Sequence, residues 1–212
     1  MSFLEKFEYF YKTDKKESIN KIINKLPSND IICKEILEKI GNNHTKIVLD
    51  DEIKNSYYVY LNDTIYLTNK NKTKDLYTRL VIIAHECRHT LQNKNLQRVN
   101  FILSNVELVL FVIALVMIIF NIVPKIIIVV YLACVLLSII PRFILELDAV
   151  KHSVKIAKEY MDKRLSKDET KLANSIFSFQ TKLLFPIMII PLFFSKLLRS
   201  IIILTVYYII SI

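Results

Sequence analysis

Residues 99–142 read VNFILSNVELVLFVIALVMIIFNIVPKIIIVVYLACVLLSIIPR. Between Phe101 and Pro141 the only charged residues are Glu107 and Lys125. The first run, Val99 to Ile122, is about 24 residues long, enough to cross a bilayer core of about 30 Å at about 1.5 Å per residue. Val123 to Ile140 is a second candidate span. Asn121 to Lys125, containing Pro124, makes a tight connection, so the two spans read as a helical hairpin. A buried hairpin of a soluble protein is the rival reading, but runs this long and this apolar are rare in a small soluble domain.

Just upstream, apolar residues recur at helical spacing: Leu76, Leu80, Ile83, Ala84, Cys87 and Leu91. That helix carries His85-Glu86-Cys87-Arg88-His89, an H-E-x-x-H pattern. Residues four apart share a helix face, so His85 and His89 can direct both imidazoles at one metal ion. Glu86, beside them, can reach a water on that metal. Zinc lowers the pKa of bound water, and Glu86 would accept its proton as general base. Cys87 points away from the histidine pair at about 100° per residue, and reads as a packed thiol.

A catalytic zinc commonly has three protein ligands and an open position. The third is therefore sought downstream, and Leu145-Glu146-Leu147-Asp148-Ala149 is the best stretch. Glu146 follows the apolar hairpin directly. It also reads as an interfacial acid, or as one placed near a helix N-terminus. Asp148 and His152, four apart, are an alternative ligand set, and Asp148 could instead orient a ligand imidazole from behind. His44 lies in a polar Asn-Asn-His-Thr loop, separate from this constellation.

The pairing of HECRHTLQ with an apolar hairpin and then ELDA resembles the bacterial membrane-associated neutral zinc metallopeptidases. Their pattern is similar to H-E-x-G-H-x-x-Q followed, after membrane segments, by E-F-D-A, and they belong with gluzincin-type peptidases. The resemblance covers roughly Tyr57 to Ser153. It implies His85, His89 and Glu146 as zinc ligands and Glu86 as the base, and it matches Gln92, Asp148 and Ala149. Two departures stand out: Arg88 replaces the Gly before the second His, and the usual N-terminal transmembrane helix is missing. In such peptidases an edge strand near the metal helix binds extended peptide, which would suit Tyr57, Tyr58 and Tyr60. Ordinary strand aromatics would read the same way.

Elsewhere the chain is less specific. Helical spacing runs through residues 3–26 and 31–40, broken at Pro27 to Asp30, with Asp30 a candidate cap and Gly41-Asn42 a C-terminal stop. Lys46–Leu49, Tyr57–Leu61 and Thr64–Thr68 are β-branched and aromatic and predict a small antiparallel sheet, with a turn at Asn62-Asp63. Residues 69–75 form a polar loop. Beyond Pro141-Arg142, Phe143 to Leu165 and Asp168 to Lys182 read as amphipathic helices. Residues 183–195 contain Pro186 and Pro191 and are short for a full span. Lys196 and Arg199 then interrupt, and 200–212 is apolar again, which suggests a short hairpin or a re-entrant pair.

These readings give an α+β membrane protein, mostly helical. Its expected parts are a helical and β region at 1–98 ending in the motif helix, a transmembrane hairpin at 99–141, helices with the third-ligand candidate at 142–182, and membrane segments at 183–212. Hydrophobic residues make up 53% of the 212, and mean hydropathy is +0.36. The net charge of +9 is spread along the chain with no nucleic-acid-binding motif, so nucleic acid is not an expected partner. Residues 1–98 hold 17 Lys+Arg against 13 Asp+Glu, and residues 142–182 hold 9 against 6, which places both on the cytoplasmic side of the cell membrane. The N-terminus has acidic residues and no apolar stretch of the kind a secretory signal needs. Three widely spaced cysteines imply no disulfide framework and a reducing compartment. The expected activity is zinc-dependent hydrolysis of a peptide or membrane-protein substrate. The alternative is an inactive membrane interaction protein that keeps the fold.

Overall fold

The structure is a computed structural model describing residues 13–69 and 78–211, with side chains at 17–69, 78–178 and 193–210. In chain order it contains helices α1 (Thr13–Asn24) and α2 (Asn29–Lys39) and strands β1 (Lys46–Asp50), β2 (Tyr57–Val59) and β3 (Thr64–Thr68). Helices α3 (Arg79–Thr90), α4 (Lys94–Ile119), α5 (Lys125–Met161) and α6 (Lys167–Ser211) follow. The expected apolar positions Phe3 to Phe10, the loop 70–75 and Leu76 lie outside the described residues. The chain divides into two compact units: Met1–Leu91 with Asp148–Leu183, and Gln92–Leu147 with Leu184–Ile212.

The first unit is organised by apolar faces that the sequence spacing defines. Ile19, Ile23 and Leu26 from the α1 region, Ile32, Cys33, Ile36 and Leu37 from α2, and Leu80, Ile83, Ala84 and Cys87 from α3 share one core with Ile65 and Leu67 of β3. Ala157, Tyr160 and Met161 of α5 and Ala173, Ile176 and Phe177 of α6 complete it. Ser28, not Asp30, takes the N-cap position of α2, while Asp30 sits in its first turn at the positive end of the helix dipole. At the other end Gly41, with φ of 77°, closes a Schellman stop. Its N–H donates to Glu38 O at 3.1 Å and that of Asn42 to Leu37 O at 2.9 Å.

The sheet differs from expectation. Its order is β1-β3-β2, with β2 antiparallel to β3 but β1 parallel to it. Strand β3 is the most buried of the three and takes the centre, with both flanking strands exposing an edge. The polar linker after β1 is long enough to carry the chain past β3, so β2 can enter from the far side. The predicted turn then closes at Tyr60–Asn62 and Asp63, whose φ of 46° is left-handed.

The second unit is built inside out. Val109, Leu136 and Ile201 are each more than half exposed, while Glu107 is fully buried. Among the described residues, three helices are long and apolar enough to cross a membrane: Lys94–Ile119, Lys125–Met161 and a stretch Phe193–Ile210 of α6. Asn93 caps α4 by accepting from the N–H groups of Asn95 and Leu96. Asn121, with φ of 56°, closes its end: the Asn121 N–H donates to Ile118 O and that of Ile122 to Met117 O. This is the Schellman geometry with Asn where Gly is usual, and it builds the tight hairpin expected at 121–125.

Two predicted boundaries are corrected. Pro141 does not end a helix; α5 runs through it without a break. The proline removes one backbone donor, and burial of Leu145 and Ala149 in the turns beyond it helps carry the helix on. Nor do Lys196 and Arg199 interrupt the C-terminal region, since α6 is one helix of 45 residues rather than a hairpin. Both cations pair in place with Glu107 of α4: Arg199 Nη2 lies 2.7 Å and Lys196 Nζ 3.4 Å from its Oε2.

Candidate metal centre

Helix α3 presents two faces. Leu80, Ile83, Ala84 and Cys87 are buried in the first unit's core, which turns His85, Arg88 and His89 to a half-buried face. The Nε2 atoms of His85 and His89 stand 3.0 Å apart, with the rings edge-on at 85° and centroids 4.7 Å apart. This follows from i,i+4 spacing when both rings aim at one point.

Glu86 is buried on the same helix, and its Oε2 accepts the backbone N–H of Tyr58 at 2.8 Å. Tyr58 lies on β2, an edge of the sheet. Its ring lies parallel to that of His89, at 10° and 6.4 Å between centroids, and its hydroxyl donates to Asp63 Oδ1 at 2.7 Å. Burial first, then the hydrogen bond to the Asp63 carboxylate, pushes the Tyr58 hydroxyl well above its ordinary pKa. Tyr58 therefore stacks beside His89 and bonds the candidate base. The sequence placed it on a strand near the motif, but no pattern in the chain signals that its amide serves Glu86.

Arg88 reaches Asp148. Its Nε donates to Oδ2 at 2.9 Å and its Nη2 to Oδ1 at 3.0 Å, a two-pronged ion pair. His152 sits beside it, with Nδ1 at 2.8 Å from Asp148 O and 3.1 Å from Oδ1. The carboxylate of Asp148 thus carries a guanidinium and an imidazole. His44 approaches Asp63 Oδ2 at 3.5 Å and is mostly exposed. Cys87 is buried against Cys33, Sγ to Sγ 3.6 Å, and desolvation raises its thiol pKa well above normal, so it packs as an inert thiol.

Within the second unit, Glu146 is buried and its Oε1 pairs with Arg142 Nη2 at 2.8 Å, one helical turn back. Gln92 donates from Nε2 to Leu145 O at 2.6 Å. Among the described residues, His85, His89 and Glu146 form a group of donor atoms that could hold a metal ion. Their chemistry suits one: two imidazole nitrogens and a carboxylate. No protein-family model, no curated protein and no solved structure matches the chain.

Proposed function

We propose that the chain is a metal-dependent peptidase of the membrane, with His85, His89 and Glu146 holding a zinc ion and Glu86 acting as general base. The observation that carries this reading is the 3.0 Å separation of the two imidazole nitrogens. Two ligands of a tetrahedral zinc at about 2.0–2.1 Å stand about 3.3 Å apart, so the pair needs to open by only a few tenths of an ångström. A set of two nitrogens and one carboxylate oxygen favours zinc among the common divalent ions. Bound zinc would supply a polarised substrate carbonyl and a more acidic water.

The remaining work falls to the chain's own groups. The Tyr58 amide fixes Glu86 Oε2, so the carboxylate is oriented before substrate arrives. Glu86 would take a proton from water and return it to the leaving amine nitrogen. Arg142 steadies Glu146 from its Oε1 side. This is the constellation that the bacterial membrane-associated zinc metallopeptidases resemble. The positive excess on both polar segments supports a cytoplasmic placement, with a membrane protein or an exported peptide as substrate.

Metal mass spectrometry on detergent-purified protein tests the site. Stoichiometric zinc is expected in the wild type, and little in His85→Ala or Glu146→Ala. Glu86→Gln should keep its zinc and lose peptide hydrolysis by about 10²–10⁴-fold or more. Metal-free wild type would sink the proposal. Zinc retained by Glu86→Gln with the cellular effect also unchanged would point to an interaction protein that kept the fold.

A further inference from the structure

Arg88 stands where the H-E-x-G-H pattern has glycine, and the structure gives this bulky cation a partner. Both oxygens of Asp148 are engaged, from two different guanidinium nitrogens, at 2.9 and 3.0 Å. The two residues are 60 positions apart in sequence, with the end of α3, all of α4 and the first part of α5 between them. Side-chain exposures of 26% and 29% leave the pair half-shielded from water. A fork–fork arrangement of this kind fixes orientation as well as distance, which a lysine cannot reproduce.

Asp148 follows Glu146 by two residues in the unbroken helix α5. At about 100° and 1.5 Å per residue, the two side chains are about 200° apart around the axis and about 3 Å apart along it. A helix held at Asp148 by both carboxylate oxygens cannot turn freely about its axis, and that rotation is what aims Glu146. Arg88 itself sits between His85 and His89 in sequence, on the helix that carries the other two ligands.

We propose that Arg88 is a positioning residue: through its two-pronged grip on Asp148 it sets the rotation of α5 and thereby presents Glu146 to the metal. The inference rests on the three-ligand reading above and goes beyond it, because the clamp belongs to this chain's departure from the glycine pattern. His152, also on Asp148, steadies the same carboxylate from within α5.

The test is zinc affinity of the full-length protein in detergent, measured by competition with a chromophoric chelator, alongside the thermal midpoint of the metal-free form. Arg88→Ala and Asp148→Asn should each weaken zinc by about 10–100-fold, the size usual for groups that orient metal ligands. Arg88→Gly should weaken it too, although it restores the glycine. Arg88→Lys should recover part of the loss, and the exchanged pair Arg88→Asp with Asp148→Arg most of it. Zinc affinity in Arg88→Ala equal to wild type overturns the clamp and leaves the metal site standing. A loss that only follows the metal-free thermal midpoint, with no recovery in the exchanged pair, also overturns it. Wild type without zinc overturns the metal site and the clamp together.

Discussion

The molecule holds two clusters built from the same residue types in opposite surroundings. In the first unit, Arg88, Asp148 and His152 meet at a half-exposed surface. In the second, Glu107, Lys196 and Arg199 meet inside a bundle of apolar helices, with Glu107 fully buried. There, Lys196 also donates to Ser138 Oγ at 2.8 Å, and Arg199 grips both oxygens of Glu107. Water screens the first cluster, so its ion pair contributes little stability and serves orientation. The second has no water to fall back on, so each member depends on the others. Charge in the first unit is therefore available for chemistry, whereas charge in the second is committed to holding three apolar helices in register.

Removing the buried carboxylate should sharpen that contrast most. Glu107→Gln leaves two cations facing each other in an apolar bundle, and breaking such a buried set typically costs about 3–5 kcal/mol. Asp148→Asn should cost about 1 kcal/mol or less in stability, the range of exposed pairs. Unfolding followed by helical circular dichroism in detergent would compare them. A triple replacement of Glu107, Lys196 and Arg199 by leucine should recover most of what Glu107→Gln loses, since apolar packing replaces buried ion sets at little cost. Equal losses for Glu107→Gln and Asp148→Asn would erase the distinction between the two regions.

Arg79 tests whether the first unit also contains a charge of the committed kind. It is 1% exposed. Its guanidinium donates to the carbonyls of Ile23, Leu26 and Pro27 and to Asn29 Oδ1, all at 2.8–3.0 Å. It closes the end of α1 and ties that end to the start of α3, the helix that carries the histidine pair. Burial lowers its pKa to about 10, still high enough to keep it charged at neutral pH. Arg79→Met fills similar volume but leaves several buried acceptors unmet. The expected loss is about 3 kcal/mol, smaller than for Glu107→Gln and larger than for Asp148→Asn. A loss under about 1 kcal/mol would mean that water replaces the guanidinium there.

What the sequence shows clearly is what repeats or alternates. The H-E-x-x-H pattern, the hairpin and the helical stops at Gly41 and Asn121 are local, and a few neighbouring residues decide each of them. The parallel pairing of β1 with β3 was not legible, because strand order depends on which strand is most buried and not on turn chemistry. The continuity of α6 was hidden for a related reason. Lys196 and Arg199 look like an interruption until Glu107, some 90 residues earlier, is seen to bond both. Arg88 read as an anomaly because its partner is 60 residues away. At the candidate site, the histidines and Glu86 were visible as a motif, while the Tyr58 amide was invisible because backbone groups leave no mark in the sequence.

The smallest expected effect lies at the surface of the first unit, where α6 begins. Ser166 and Glu169 form a capping box. The Glu169 N–H donates to Ser166 Oγ at 3.3 Å, and the Ser166 N–H donates to Glu169 Oε2 at 3.1 Å. Lys25 bonds the other carboxylate oxygen. The Lys25 ammonium first, then the Ser166 amide and hydroxyl, holds the Glu169 carboxyl at about 2. Its value in an unfolded chain is about 4.3. A carboxylate with a lowered folded pKa stabilises the fold fully above its unfolded value. That contribution fades as pH falls from about 4.3 towards about 2, because the folded state then has to take up a proton it resists. Glu169→Gln should therefore lower the thermal midpoint slightly at pH 6 and not at all near pH 2. Added salt should shrink the pH 6 difference, since an exposed pair is screened. Ser166→Ala removes the reciprocal half of the box and should cost about 1 kcal/mol across the same range. If the wild type and Glu169→Gln kept the same separation from pH 6 down to pH 2, the surface charge would be inert, and charge-dependent stability would rest on buried groups alone, Arg79 in the first unit and the Glu107 cluster in the second.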